Sequence, residues 1–210
     1  MNTPTKQKSN IRIARENETE VLKFIALLGW LSTQQIGNLV WTSSTPHVAR
    51  NKAALCLRRL HAQRFVLPRT GYAGIKMYVL TRAGADFVNY ETGVNIAHHG
   101  LDLSVGMHLR QSQVIDYLTI KAKEGFTPLG ASALKRGVSG VKNLFWDEGR
   151  GLSAAYYNAT TREVKGVLCP HTAAPSAVDL FEKILRQGNV DLIGSHYIIE
   201  AIQRQIRQMR

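Results

Sequence analysis

Carboxylates are missing from a long stretch of this 210-residue chain: no Asp or Glu occurs between Glu20 and Asp86. The same interval holds Lys23, Arg50, Lys52, Arg58, Arg59, Arg64, Arg69, Lys76 and Arg82. An ordinary solvated face mixes its charge signs, so a one-signed stretch points to a polyanionic partner. Long apolar runs are lacking as well. The best candidate, Val21 to Leu31, contains Lys23 and falls short of the roughly 18 residues that a bilayer crossing needs, so no membrane partner is expected. Only two cysteines occur, Cys56 and Cys169, far apart and with Cys56 inside an apolar helical pattern. That excludes a disulfide framework and gives no zinc site, which makes a cytoplasmic protein the simplest expectation. Met1 to Arg15 is polar and basic without an apolar core, unlike a secretory signal. No Gly-rich phosphate loop of the Walker or dinucleotide type is present, which argues against a nucleotide-driven motor or a dehydrogenase. Internal repeats and low-complexity segments are absent too.

What is present is a 44% hydrophobic composition, enough for one large core or two small ones, and a formal net charge of +12 from 27 Lys+Arg against 15 Asp+Glu. Residues 1 to 96 carry 13 basic and 5 acidic side chains, and residues 97 to 210 carry 14 and 10, so the excess leans to the N-terminal half. Nucleic acid is the leading partner class, and a merely basic surface is the alternative.

The pattern predicts an α+β chain. Val21, Phe24, Ile25 and Leu28 recur at helical spacing from Glu18, and Gly29 is the natural stop. Ser32 with Gln35 makes a capping box for a second helix through Ile36, Leu39 and Val40. Thr45 and Pro46 suit the cap and first position of a third helix, running to about Gln63. Its stripe of Ala53, Leu57 and Leu60 leaves His47, Asn51 and Arg58 on another face and Arg50 at the edge. Phe65–Pro68 and Lys76–Leu80 read as strands around a glycine-containing turn, and Thr81 caps a fourth helix to about Tyr90.

Helix, helix, basic helix, two-stranded ribbon, helix is the order of a winged helix-turn-helix, whose recognition helix enters the major groove of duplex DNA. His47, Arg50 and Asn51 stand where base edges would be read, Arg to guanine and Asn to adenine. Arg58, Arg59 and Arg64 are candidates for phosphates, and Arg69, Tyr72 and Lys76 for contacts from the wing. For His47 and Asn51 the alternative is an ordinary exposed helix position, and for Tyr72 a role in ordering the hairpin. Trp30 and Trp41 flank the second helix and are expected in the core.

Leu57-x-x-Leu60, Phe65 and the ribbon, then Tyr78-Val79-Leu80-Thr81-x-x-Gly84, resemble the winged-helix modules of many bacterial regulators over residues 18 to 90 or so. With His98, His99, a long helix from Leu103 to Ile120 and a mixed strand-helix region after them, the layout is similar to the replication-relaxation family of plasmids and integrative elements. That resemblance implies binding at an origin-like site in replication, relaxation or conjugative mobilisation, with a relaxase or replication initiator as a further partner. A transcriptional regulator binding an operator is the alternative.

The expected organisation is a flexible basic arm over residues 1–17, a DNA-binding domain over 18–92 and a mixed α/β domain over 93–210 for oligomerisation or partner docking. In the last of these, strands are expected at Asn143–Trp146, Leu152–Tyr157, Val164–Cys169 and Val190–Ile193, and helices from Asp102 or Ser104 to near Gly125, from Pro175 to Arg186 and from Ser195. A homodimer is expected if the DNA site has two half-sites, its interface drawn from residues 103–124 or 196–210, although the terminal Ile stripe can equally pack on its own domain. No enzyme activity and no cofactor are expected. A metal-dependent nuclease is the second alternative, because Glu163 and Lys165 on a strand would share one face near Asp147 and Glu148. A structural ion pair is the commoner explanation. His98, His99 and His108 lack partners at metal-ligand spacing, and so does Cys169-Pro170-His171.

Overall fold

The computed structural model describes residues 4–93, 97, 108–135, 153–158, 160–161, 163–170, 175–186 and 189–208. It is a mixed α+β protein with two sheets. The chain divides into two compact units, Met1–Leu103 and Ser104–Arg210, the division falling a little beyond the expected Thr92.

The first unit begins with helix α1, Pro4–Leu28. This helix starts well before Glu18, so the segment read as an arm continues a helix instead. The physical reason is that nothing between Pro4 and Gly29 breaks a helix, and Arg12 pairs with Glu16 one turn on at 3.4 Å. Its C-terminal half carries the buried face, Val21, Leu22, Ile25, Ala26 and Leu28. Gly29, at φ 94°, ends it and donates its N–H to the Ile25 carbonyl at 2.7 Å. A two-residue strand β1, Leu31–Ser32, leads into α2, Thr33–Val40. The capping box is formed: Ser32 Oγ accepts from the Gln35 N–H at 3.2 Å, and Gln35 Oε1 accepts from the Ser32 N–H at 2.9 Å. Trp30 is buried and Trp41 half-buried.

Helix α3, Pro46–Ala62, has Thr45 at its cap position but no side-chain cap bond from it. Its buried stripe is Ala49, Ala53, Cys56, Leu57 and Leu60. Strands β2, Val66–Thr70, and β3, Lys76–Leu80, form an antiparallel hairpin, and β1 adds to the other side of β3 to give the order β1-β3-β2. Helix α4, Arg82–Thr92, is capped by Thr81, whose Oγ1 accepts from the Gly84 N–H at 3.0 Å, and ends at Gly93 in the left-handed region. Gly84 sits against the β2 entrance: a methyl there would lie 2.1 Å from the Phe65 carbonyl oxygen. That oxygen already accepts from the Thr81 N–H at 3.0 Å.

The second unit opens with α5, His108–Lys123, followed by β4, Thr127–Gly130, and a short helix α6, Ala131–Lys135. The strands β5, Ala154–Tyr157, and β6, Val164–Leu168, pair antiparallel, and β4 pairs antiparallel with β5. Helix α7, Pro175–Arg186, is the crossover that a parallel pairing needs, and brings β7, Val190–Leu192, alongside β6. The order is β4-β5-β6-β7. Helix α8, His196–Gln208, then packs back: Ile202 is buried in one cluster with Leu168, Val178, Phe181 and Ile184, and Ile198 and Ile206 pack against it. The terminal Ile stripe thus packs on its own unit through Ile202, while Ile198 and Ile206 stay partly buried beside it. The expected strand Asn143–Trp146 lies outside the described residues, as do His98, His99, His171, Asp147 and Glu148.

Candidate nucleic-acid interface

Gly37 sets where α3 lies. A methyl built on it would stand 2.8 Å from the Ala49 carbonyl carbon, 2.9 Å from its oxygen and 3.0 Å from the Arg50 nitrogen, so α2 and α3 meet backbone to side-chain-free backbone. The stripe from Ala49 to Leu60 is then held inward, and the opposite line of α3, His47, Asn51, Ala54 and Arg58, turns out. His47, Arg50, Asn51, Lys52, Arg58, Arg59, Arg64, Arg69 and Lys76 are all exposed. No acidic residue occurs anywhere in α3.

Asn51 Nδ2 lies 3.1 Å from His47 Nε2 on the exposed face. With the amide as donor, the imidazole proton sits on Nδ1. An Asn amide has two N–H donors and one carbonyl acceptor, so this bond leaves one donor and the acceptor, the set that pairs with adenine N7 and N6. Lys52, absent from the expected set although it lies in the acid-free stretch, donates to Ser44 Oγ at 3.1 Å and braces the turn before α3.

Arg59 differs from its neighbours. Its Nε donates to Glu18 Oε1 of α1 at 2.6 Å, so it serves as a tie between α1 and α3 rather than as an uncommitted cation. Beneath that pair, burial pushes the Cys56 thiol up to about 12, helped by the Glu18 carboxylate and opposed by Arg59. The thiol stays protonated and inert at neutral pH.

Arg64 adopts φ 61°, a left-handed conformation that costs a Cβ-bearing residue on the order of 1 kcal/mol. The bonds around it hold it there. Its N–H reaches the His61 carbonyl at 3.0 Å, the Phe65 N–H reaches the Leu60 carbonyl at 2.9 Å, and Thr81 Oγ1 donates to the Arg64 carbonyl at 2.6 Å. Glycine is the residue this position favours, and an arginine occupies it. Arg64→Gly is expected to raise the urea midpoint slightly, by about 0.5–1 kcal/mol of stability, while lowering duplex affinity several-fold. A fall in stability would show that the side chain serves packing.

The β2–β3 hairpin places its two cations apart. Arg69 is opposite Met77 and Lys76 opposite Thr70 in the register, which puts Arg69 and Lys76 on opposite faces of the ribbon. Tyr72 lies at the tip, in a single 3-10 turn of Tyr72–Gly74 that Ala73, at φ 53°, and Gly74, at φ 73°, bend. The Gly71 N–H closes the loop on the Ile75 carbonyl at 2.8 Å.

In the second unit the polar centre is Asp191 on β7. Its Oδ2 accepts from Tyr117 Oη of α5 at 2.6 Å and also from Tyr156 Oη of β5. Burial, followed by the bond to that carboxylate, raises both phenol pKa values above the ordinary 10, which keeps both hydroxyls neutral donors and unsuited to act as nucleophiles. Lys121 Nζ stands over both rings, at 5.5 and 5.7 Å from their centroids. Glu163 and Lys165 pair with each other at 3.4 Å. Among the described residues no group of three His, Cys, Asp or Glu side chains converges as a metal site would require. No helix described is long and apolar enough to cross a membrane.

No family model, no curated protein and no solved structure matches the chain.

Proposed function

We propose that residues 18–92 are a winged helix-turn-helix that binds double-stranded DNA sequence-specifically, with α3 in the major groove and the β2–β3 hairpin as the wing. The single observation that carries this reading is the outward face of α3: exposed, free of carboxylates, and bearing His47, Arg50, Asn51 and Arg58 on a helix clamped from behind through Gly37. Arg50 and Asn51 lie in the first turns, where base edges are in reach, and Arg58 and Arg64 lie further on, where phosphates position the protein without reading sequence. A left-handed arginine at the end of α3 fits this division, since backbone strain is retained where a side chain has a task.

The cellular role we propose follows from the resemblance to the replication-relaxation family: binding at an origin-like site of a mobile element, in replication, relaxation or mobilisation, with a relaxase or initiator beside it. The second unit is then a docking or oligomerisation module. An operator-binding regulator would use the same contact residues, and genomic neighbours distinguish the two.

Selection of bound sequences from a random duplex pool tests the binding reading. The wild type is expected to enrich one motif, with half-site symmetry if it binds as a dimer. Arg50→Ala with Asn51→Ala is expected to relax that motif at one or two positions, each good base contact being worth about 1–3 kcal/mol. An unchanged motif and affinity in the double variant would remove α3 as the reading helix.

A further inference from the structure

We infer that Val48 and Leu55 read thymine C5-methyl groups in the major groove, on either side of the base met by Asn51. The inference rests on the duplex-binding reading above and names part of the sequence that α3 selects.

Val48 and Leu55 are 42% and 49% exposed, on a helix whose other exposed positions are mostly polar. They are not the edge of the core, because the buried stripe of α3 runs through Ala49, Ala53, Cys56, Leu57 and Leu60. Asn51 lies one turn after Val48 and one turn before Leu55, so the three form a single line on the helix surface. Flanking them on the helix surface are the exposed cations Lys52 and Arg58, and no acidic side chain belongs to the helix. A protein partner with an apolar knob would not need positive charge on both sides of it. A polyphosphate duplex matches it.

Within the major groove the thymine methyl is the apolar group that an aliphatic side chain can meet. Seven residues of helix span about 10 Å. A helix lying along the groove therefore sets Val48 and Leu55 about three base pairs apart, at about 3.4 Å of rise per pair. Asn51 falls between them, with the donor and acceptor left over from its bond to His47 directed to adenine chemistry. The line thus describes an A·T-containing core within the sequence that α3 selects.

Deoxyuridine supplies the test, because it pairs as thymidine does and lacks only the methyl group. Starting from the duplex that the full chain selects, each thymidine is replaced in turn and affinity measured. The wild type is expected to lose about four-fold at each of two positions about three base pairs apart, the value of one buried methyl group. Leu55→Ala is expected to become indifferent to the change at one of these positions and Val48→Ala at the other. Both side chains are exposed, so neither variant should shift the thermal midpoint, which circular dichroism checks. Equal affinity for thymidine and deoxyuridine duplexes at every position, with the selected duplex still preferred over a scrambled one, overturns the inference and leaves the binding reading standing. So does methyl sensitivity that persists unchanged in both variants. Failure to prefer the selected duplex over a scrambled one removes the binding reading itself, and the inference with it.

Discussion

Gly84→Ala is expected to lower the thermal midpoint of the first unit by roughly 15 °C, corresponding to about 3 kcal/mol for a unit of this size. The added methyl would lie 2.1 Å from the Phe65 carbonyl oxygen and 3.0 Å from its carbon, both of them backbone atoms. Rotamer change cannot relieve such a contact. The Phe65 carbonyl cannot retreat either, because it accepts from the Thr81 N–H at 3.0 Å. Alanine brings a helix-propensity gain of about 1 kcal/mol at most, too little to offset the clash. The outcome is read by circular dichroism on the full chain, and a midpoint within about 3 °C of wild type would contradict the packing of α4 against the hairpin.

Gly37→Ala has a different signature. The same gain in helix propensity meets a contact of 2.8 Å on the Ala49 carbonyl carbon, so α2 and α3 must move apart by several tenths of an ångström. Expected is a loss of about 1–3 kcal/mol of stability. Beyond that, preference for the selected duplex over a scrambled one is expected to fall ten-fold or more. Weak, salt-sensitive binding should survive, because the arginines remain while the helix that aims them shifts. Stability and preference measured on the same protein separate this from Gly84→Ala, in which α3 keeps its seat on α2. A variant that kept full preference would show that the spacing of α2 and α3 does not position the reading face.

The first unit was more legible in the sequence than the second, for physical reasons visible in single residues. Its helices carry strong local signals: the Ser32–Gln35 capping box, Pro46 at a first position, Thr81 before Gly84, and Gly29 and Gly93 at stops. Each acts within one turn, so it can be read without knowing the fold. The extension of α1 to Pro4 left no such trace, because Pro4 to Asn10 carries no apolar periodicity in the sequence, and Ile11 and Ile13 stay about half exposed. Strand β1 was missed because two residues carry no alternation. Strand β4 was missed because Pro128 argues against a strand, and the sheet order shows how it is tolerated: among the described residues β4 is an edge.

The candidate site divides in the same way. Exposure of His47, Arg50, Asn51 and Arg58 follows from helical periodicity, which local sequence encodes. That Arg59 is tied to Glu18, 41 positions away, is a tertiary fact that no window of sequence contains. The left-handed turn at Arg64 was hidden because arginine is not the residue that marks such turns. Likewise the pairing of Tyr117 and Tyr156 on Asp191 joins a helix and two strands across the second unit, and none of the three residues stands out alone.

Binding of the full chain to a short duplex, followed as salt is raised, tests most directly whether these exposed cations face a phosphate backbone. Six of them, Arg50, Lys52, Arg58, Arg64, Arg69 and Lys76, are exposed without an acidic partner in any ion pair described. Phosphate contact by all six predicts a logarithmic slope of about −5. Arg58→Ala should make the slope shallower by about one, whereas Arg59→Ala, whose guanidinium is held by Glu18, should leave it unchanged. A flat dependence on salt, or no duplex binding at low salt, would contradict the DNA-binding account outright.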